Sequence, residues 1–327
     1  PALLQYVEYN YADISTATLE QRSMDCFGIS FEDFCKIDTV GRLPDSYSDS
    51  AQHPYVVEKY ALSEGQPKGK YLSSVIPHYE KAKGFNKTLV IISDSGVNDL
   101  VYNDFIIGEN ADVTIMAGCG IHNCGEEESR HDGIHSFFVG KNAKVKYVEK
   151  HVGEGDGEGG KNMNPTTVIN IADGGYMEME TTQIKGIDST KRITKAALAD
   201  NATLIVKEKL MTHGSQYAET DFTVDMNGEN CSANVISRSV AKDKSYQLFV
   251  SRINGNNVCN GHTECDAIIM DDAHVSALPQ ITANHIDAAL IHEAAIGKIA
   301  GEQLIKLMTL GLSEAEAEEQ IVNGFLK

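Results

Sequence analysis

A turn that recurs along the middle of the chain constrains the fold more than any other feature. Four corners are centred on Asn110, Asn142, Gly174 and Asn201, each placed between an aliphatic residue and an alternating segment. Their positions are 32, 32 and 27 residues apart. Asn and Gly tolerate the left-handed backbone conformation that a sharp corner needs. We therefore predict a chain that turns in the same way roughly every 30 residues, a period typical of repeat folds.

The residues after each corner predict strands. Segments such as Val113–Met116 and Met177–Glu180 alternate in the manner of a strand with one buried face. Less exact copies of the corner follow at Met226–Cys231 and Met270–Val275. A unit made of strands and turns that repeats along the chain indicates a β-solenoid, in which coils stack strand on strand. A sandwich of hairpins is the alternative, but hairpins do not require such regular corner chemistry.

Composition excludes several classes of function. The 327 residues carry 28 basic and 47 acidic side chains, a formal charge of -19, and 42% of them are hydrophobic. A chain this acidic repels nucleic acid and anionic membranes, and its apolar content argues against disorder. No apolar run is long enough to span a bilayer, and the acidic, tyrosine-rich start is not a signal peptide. Seven cysteines, an odd number, indicate reduced thiols. We expect a soluble, cytoplasmic protein.

The flanks differ from the repeating region. Residues 1–85 are mixed α/β in character, with short helices expected at 14–20 and 30–36 and a loop at 65–69. The β-helix core is expected over residues 86–280, interrupted by a solvated glycine-acid loop, Gly153–Gly160. In residues 281–327 we predict a helix at Glu302–Thr309 ended by Gly311, and a second helix opened by a capping box, Ser313 to Glu316. These helices either cap the core or dock a partner.

Two segments contain residues able to bind metal or sulfur. Cys119–His135 holds two cysteines and three histidines, a set that suits zinc or iron. Cys259–Asp266 is followed by further possible ligands at His274, His285, His292 and Glu293. For each histidine, a buried imidazole with satisfied hydrogen bonds remains an alternative. The sequence has no phosphate-binding P-loop, nucleophile elbow, HExxH motif or dinucleotide fingerprint.

The C-terminal third resembles the SufB/SufD family of the Suf iron–sulfur cluster assembly system. The similarity rests on four motifs in the family's order: His262–Met270 with its Cys-Asp step, His292–Ile299, the Glu302-Gln-Leu helix start, and Gly311–Phe325 with its Ile-Val-Asn-Gly-Phe end. It is most specific over residues 260–327 and extends more weakly to about residue 90. Ile291 stands where the family often has an acid, and the cysteine-rich N-terminal motif of long SufB chains is not evident.

The resemblance implies a right-handed parallel β-helix with helical ends, and a non-enzymatic scaffold on which a transient iron–sulfur cluster is built. It implies an ABC-type ATPase partner, SufC, and a sulfur donor. It also implies a compact SufB-like branch that pairs as a homodimer or with a SufB/SufD paralogue. A SufD-like structural subunit that binds SufC but carries no cluster is one alternative. A β-helix enzyme acting on polysaccharides is another, and the acidic charge disfavours it for polyanionic sugars.

Site residues follow from the matching motifs. Cys265, His292 and Glu293 match positions expected to hold the nascent cluster. Cys119 matches a cysteine implicated in sulfur entry, with His135 in the associated histidine motif. The C-terminal helices match the SufC-docking segment, which here includes Ser313, Glu316, Ile321, Val322 and Phe325.

Overall fold

The computed structural model describes residues 2–9, 55–60, 70–76, 83–92 and 95–327. The helices expected at 14–20 and 30–36 and the loop at 65–69 lie outside the described residues. The first ten strands are β1 (Ala2–Tyr9), β2 (Tyr55–Tyr60), β3 (Lys70–Ile76), β4 (Lys83–Ile92), β5 (Asn98–Ile107), β6 (Asp112–His122), β7 (Ser129–Val139), β8 (Lys144–Glu154), β9 (Lys161–Met163) and β10 (Thr166–Ile171).

Nine more strands and two helices complete the chain: β11 (Tyr176–Lys185), β12 (Ser189–Leu198), β13 (Thr203–Thr212), β14 (Tyr217–Met226), β15 (Cys231–Ala241), β16 (Tyr246–Gly255), β17 (Cys259–Ile269), β18 (His274–Ala283), β19 (Ala288–Gly297), α1 (Gly301–Thr309) and α2 (Glu314–Phe325). The expected boundary at residue 280 falls inside β18, and β19 follows before the helices begin. No helix in the described part of the chain is long and apolar enough to cross a membrane.

The strands form two facing sheets of a β-solenoid with about seven turns. One sheet has the order β1-β4-β6-β8-β11-β13-β15-β17-β19, and the other has the order β18-β16-β14-β12-β10-β7-β5-β3-β2. Among the strands that the structure describes, the pairings are parallel except the one between β2 and β3. The predicted parallel β-helix and its two C-terminal helices are therefore confirmed.

The predicted corners have the expected backbone. Asn110, Asn142 and Asn201 have φ of 55°, 55° and 57°, and Gly174 has φ of 66°. These corners lead from the second sheet into the first. The copy at Asp271, with φ of 54°, lies instead at the opposite edge, between β17 and β18. A left-handed residue thus occurs at either edge of a coil, so the same local chemistry does not by itself tell the two edges apart.

Alternation along each strand builds the core. In β6 every second residue from Val113 is buried. Val113 pairs with Val145 in the next coil, Val145 with Met177, and Met177 with Leu204. Inward residues thus stack in columns along the solenoid. At the C-terminal side, Val322 of α2 packs against Val240 and Met270 on the outside of the solenoid.

The glycine-acid tract was expected to be solvated, but part of it packs closely. The amide of Gly157 donates to Asn123 and that of Gly159 to Gly125, at 3.2 and 2.9 Å. A Cβ added at Gly157 would lie 2.3 Å from the carbonyl oxygen of Gly125. Glycine is required because this backbone lies directly on the preceding coil, a contact that leaves no room for a side chain.

Candidate functional site

The inside of the solenoid is not uniformly apolar. A line of polar side chains runs through it, and we call this line the interior polar track; it consists of Cys119, His131, Glu149, His151, Thr181, Arg192, Glu208, Ser237 and Cys265. Each of these residues is at most 6% exposed. Charged groups are rarely this buried unless they are paired, so each charge in the track needs a partner inside the solenoid.

Strand register places the track. On the first sheet Glu149, Thr181, Glu208, Ser237 and Cys265 occupy successive positions of one ladder. Cys119 lies beside this ladder, as the register partner of His151. Five strand spacings separate β6 from β17, and at ~4.8 Å for each the track is roughly 24 Å long.

Cys119 lies between two imidazoles. Its thiol interacts electrostatically with His131 and His151, and Nδ1 of His131 lies 2.7 Å from Oδ2 of Asp99. Burial alone would raise the thiol pKa, but the two histidines together lower the pKa of Cys119 to about 7. Burial opposes charge on His131 as well, yet the Cys119 thiolate and the Asp99 carboxylate raise its pKa to about 10. The group is therefore a thiolate–imidazolium pair near neutral pH, the nucleophilic form of cysteine.

Glu149 lies between His151, which neighbours Cys119, and Arg192, which continues the track. Its Oε2 lies 2.7 Å from Nη1 of Arg192, and Oε1 accepts from the Tyr147 hydroxyl at 2.9 Å and lies 3.4 Å from Nε2 of His151. Burial works against the charge, but His151 and Arg192 hold the pKa of Glu149 well below its usual range. Glu149 is thus a buried carboxylate, neutralised by an equally buried guanidinium.

His135 also faces Glu149, with Nε2 at 3.7 Å from Oε1. Its Nδ1 lies 3.2 Å from the amide nitrogen of Asn103. Because that nitrogen donates, Nδ1 accepts and the proton is on Nε2. Burial is the main reason why the pKa of His135 falls to about 4, so this histidine is neutral at neutral pH.

The second half of the track leads to Cys265. Nε of Arg192 lies 3.7 Å from Oε1 of Glu208, and Thr220 and Ser237 donate to the two oxygens of Glu208 at 2.9 and 2.7 Å. Cys265 is 1% exposed. Burial, followed by the charge of Glu208, raises the pKa of Cys265 to about 12, so in this conformation it is a protonated thiol.

Beyond Cys265 the solenoid ends, and the predicted cluster residues separate between its two faces. His292 is the register partner of Thr263, which is fully buried, so it lies on the inner face with Cys265. Nδ1 of His292 is buried without a hydrogen-bond partner. Glu293 is the register partner of Glu264 and lies on the outer face. Within one chain, Cys265 and Glu293 therefore point to opposite sides of the same sheet.

The expected partner-binding residues also divide. Ser313 and Glu316 form the predicted capping box of α2. Val322 is buried against the solenoid and Phe325 packs beside it, whereas Ile321 is half-buried. The exposed apolar side chains of this region belong mainly to α1 and the turn after it: Ile305, Met308 and Leu310.

The Cys119–His135 segment does not converge on one site. Cys119, His131 and His135 face the interior, whereas His122 and Cys124 are exposed and form a pair at 3.2 Å. Sequence reasoning missed Asp99, Glu149, Arg192 and Glu208. Strand parity could have found Glu149 and His151, because they share the inward parity of Val145 and Tyr147 on β8.

Comparisons with known proteins identify relatives of this chain. Residues 91–325 match the family model described as SUF system FeS cluster assembly, SufBD core domain. An iron–sulfur cluster assembly SufBD family protein of Archaeoglobus fulgidus is 29% identical over 228 residues, 69% of this chain and 60% of the relative. Proteins of the same family in Methanocaldococcus jannaschii and Methanothermobacter thermautotrophicus are both 29% identical; the matches cover 72% of this chain and 74% and 57% of those relatives.

The match thus spans less than two thirds of the Archaeoglobus and Methanothermobacter relatives, and about three quarters of the Methanocaldococcus one. The family model covers well over half of the chain and includes every residue of the interior polar track. The chain belongs to the SufBD family, whose members take part in iron–sulfur cluster assembly.

Proposed function

We propose that this chain is a scaffold subunit on which a nascent iron–sulfur cluster is built, in a cytoplasmic complex driven by a SufC-type ATPase. The observation that carries the proposal is the interior polar track, which connects an activated cysteine with a second cysteine near the open end of the solenoid. A purely structural subunit has no use for buried charges in this arrangement, since burying them opposes stability. The cluster is cargo, and the ATPase activity belongs to the partner.

Sulfur enters at Cys119 in this proposal. The thiolate attacks the terminal sulfur of a donor persulfide, a new S–S bond forms on Cys119, and the donor leaves as a thiolate. A low thiol pKa supports this step because the thiolate is the nucleophile. His135 is neutral and is held by Asn103. It supports the step indirectly, because it faces Glu149, which also lies next to the His151 ring beside Cys119.

Two thiols of a reductant then reduce the outer sulfur of the Cys119 persulfide to sulfide, become a disulfide themselves and return Cys119 to the thiolate. The sulfide moves along the track toward Cys265. Thr181 lies between Glu149 and Glu208 on the ladder, and no group in the described part of the protein hydrogen-bonds to its hydroxyl. An unpaired buried hydroxyl costs stability. Thr181 keeps the column polar between Glu149 and Glu208.

Iron meets sulfur at the far end, near Cys265 and His292, with Glu293 reaching the site around the edge of β19. Because Cys265 is buried and protonated, the end of the solenoid has to rearrange before a cluster can bind. ATP binding to SufC, docked on α1 and α2 through residues that include Ile321 and Phe325, would supply the second arrangement. A homodimer, or a pair with a SufB/SufD paralogue, would enclose this end.

Anaerobic reconstitution from ferrous iron, a persulfide donor and a thiol reductant, added after the Cys119 persulfide has been assayed, tests the proposal. We expect the wild type to acquire iron and sulfide in a visible-absorbing cluster, and Cys265→Ser to acquire neither. Cys119→Ser should accept no persulfide sulfur from the donor. Thr181→Val, which keeps the side-chain shape, should still form the Cys119 persulfide while its cluster yield falls several-fold.

These variants distinguish a cluster scaffold from a SufD-like structural subunit. A cluster in Cys265→Ser at the wild-type level would exclude Cys265 as a ligand and overturn the proposed cluster site at this end of the solenoid. A wild type that binds SufC but never holds a cluster would identify the chain as a SufD-like structural subunit. An unchanged yield in Thr181→Val would exclude the interior route.

A further inference from the structure

Three possible metal ligands converge on the outer face of the last two strands of the first sheet. His262 and Glu264 are two residues apart on β17, and Glu293 on β19 is the register partner of Glu264. One ligand atom from each lies within 4.8 Å of the other two. Within the described residues, no other three histidine, cysteine or acidic side chains bring their ligand atoms this close together.

The histidine is held in a tautomer suited to metal binding. Nδ1 of His262 lies 3.0 Å from Oδ1 of Asn234, its register partner on β15. Because an amide oxygen can accept but not donate, Nδ1 carries the proton and Nε2 keeps its lone pair. Nε2 points toward Glu293, at 3.8 Å from Oε2. A hydrogen bond at the other ring nitrogen is the usual support of a metal-binding histidine.

The geometry needs little adjustment to hold an ion. Ligands at about 2.1 Å from an octahedral metal lie about 3 Å apart when adjacent. The His262–Glu293 pair, at 3.8 Å, must therefore close by about an ångström, and a pair at the 4.8 Å limit by about 2 Å. Glu293 can provide that movement, because its side chain is 67% exposed. Glu264 and the neighbouring Asp266 add negative charge, and Arg238 opposes them at 4.0 Å from Glu264.

We propose that His262, Glu264 and Glu293 bind one ferrous ion on the outside of the solenoid. One imidazole and two carboxylates form a mixed nitrogen and oxygen set that suits divalent iron and lacks the thiolates that zinc and clusters prefer. Three protein ligands leave coordination positions open to solvent, as befits an ion that is passed on rather than stored.

The site deepens the proposed function and, in its role as an iron source, rests on it. Cys265 is adjacent to Glu264 in the chain but lies on the opposite face of the sheet. Sulfur would therefore arrive inside the solenoid and iron outside, and the two would meet at the edge of β19. Separate routes keep free iron and sulfide apart until both reach the same strand.

Metal binding alone tests the site, without sulfur. Chelator-treated protein is titrated anaerobically with Fe²⁺ in equilibrium dialysis, and with Co²⁺ followed by visible absorption. We expect one equivalent to bind with absorption bands that indicate nitrogen and oxygen ligands. His262→Ala, Glu264→Gln and Glu293→Gln should each weaken binding by about tenfold or more, with circular dichroism unchanged because all three side chains face outward.

His274→Ala on β18 and Asp225→Asn on β14 are matched controls, being remote from the group, and should bind as the wild type does. Cys119→Ser and Cys265→Ser should also keep the ion, which separates this site from the sulfur route. Equal binding in the three variants and the wild type, or no stoichiometric binding at all, overturns the proposal. A scaffold that still reconstitutes after that result would retain the proposed function and lose only this iron site.

Discussion

At the scale of single residues, the group formed by Cys119, His131 and Asp99 makes a titration prediction. The thiolate absorbance of the wild type minus that of Cys119→Ser should follow a pKa of about 7. The neighbouring histidines lower the pKa of the thiol from its ordinary value of 9.0. The thiolate is therefore lost as the pH falls below about 7 and is fully formed at more alkaline pH. Subtracting the Cys119→Ser signal removes the absorbance of the other cysteines.

Asp99→Asn provides the matched change. Removing the carboxylate takes away a charge that raises the pKa of His131, so the imidazolium weakens and the thiol pKa should rise toward 9.0. Persulfide uptake at neutral pH should slow accordingly, since less thiolate is present. A Cys119 pKa of 9 in the wild type, or one unmoved by Asp99→Asn, would contradict the ion pair.

At the scale of elements, the corners determine whether coils can stack. Asn201 joins β12 to β13 with φ of 57°, is exposed, and donates its amide to Glu229 in the next coil at 2.8 Å. A β-branched residue is strained in this conformation by roughly 1–2 kcal/mol. Asn201→Val should therefore lower the midpoint of urea unfolding, whereas Asn201→Gly, which accepts the same φ, should leave it nearly unchanged. Equal midpoints would show that the corner tolerates strain.

The same elements show what a sequence can predict. Asn142 marks a corner by its own chemistry, and Tyr147 marks an inward position by alternation, so corners, strands and the core could be predicted locally. The two C-terminal helices could be predicted in the same way. Glu149 and Arg192 could not be paired, because they are 43 residues apart and meet through the register of separate coils. To predict that Cys265 and Glu293 lie on opposite faces of the sheet, one must know the alternation of each strand and the register between the strands. The family motifs identify these positions but not the face on which each side chain lies.

At the scale of the whole molecule, the described part of the solenoid has an open end. Within the described residues, β18 and β19 are the last strands of their sheets. Leu278 and Ile291 on these strands are 57% and 56% exposed, and Ile286 in the turn between them is 94% exposed. Unpaired strand edges beside apolar side chains invite pairing with another chain. The chain is therefore expected to form a homodimer through this end, an isologous interface with twofold symmetry.

Lysine substitutions test that interface. Leu278→Lys combined with Ile286→Lys places charge on the apolar end and should convert a dimer to a monomer in light scattering coupled to size-exclusion chromatography. Ile305→Lys on α1, where the native side chain is 62% exposed, is the control and should leave the dimer intact. A dimer that survives the double substitution would place the interface elsewhere, and a monomeric wild type would exclude the homodimer. Because Cys265 and His292 lie at the same end, loss of the dimer should also lower cluster yield while the Cys119 persulfide still forms.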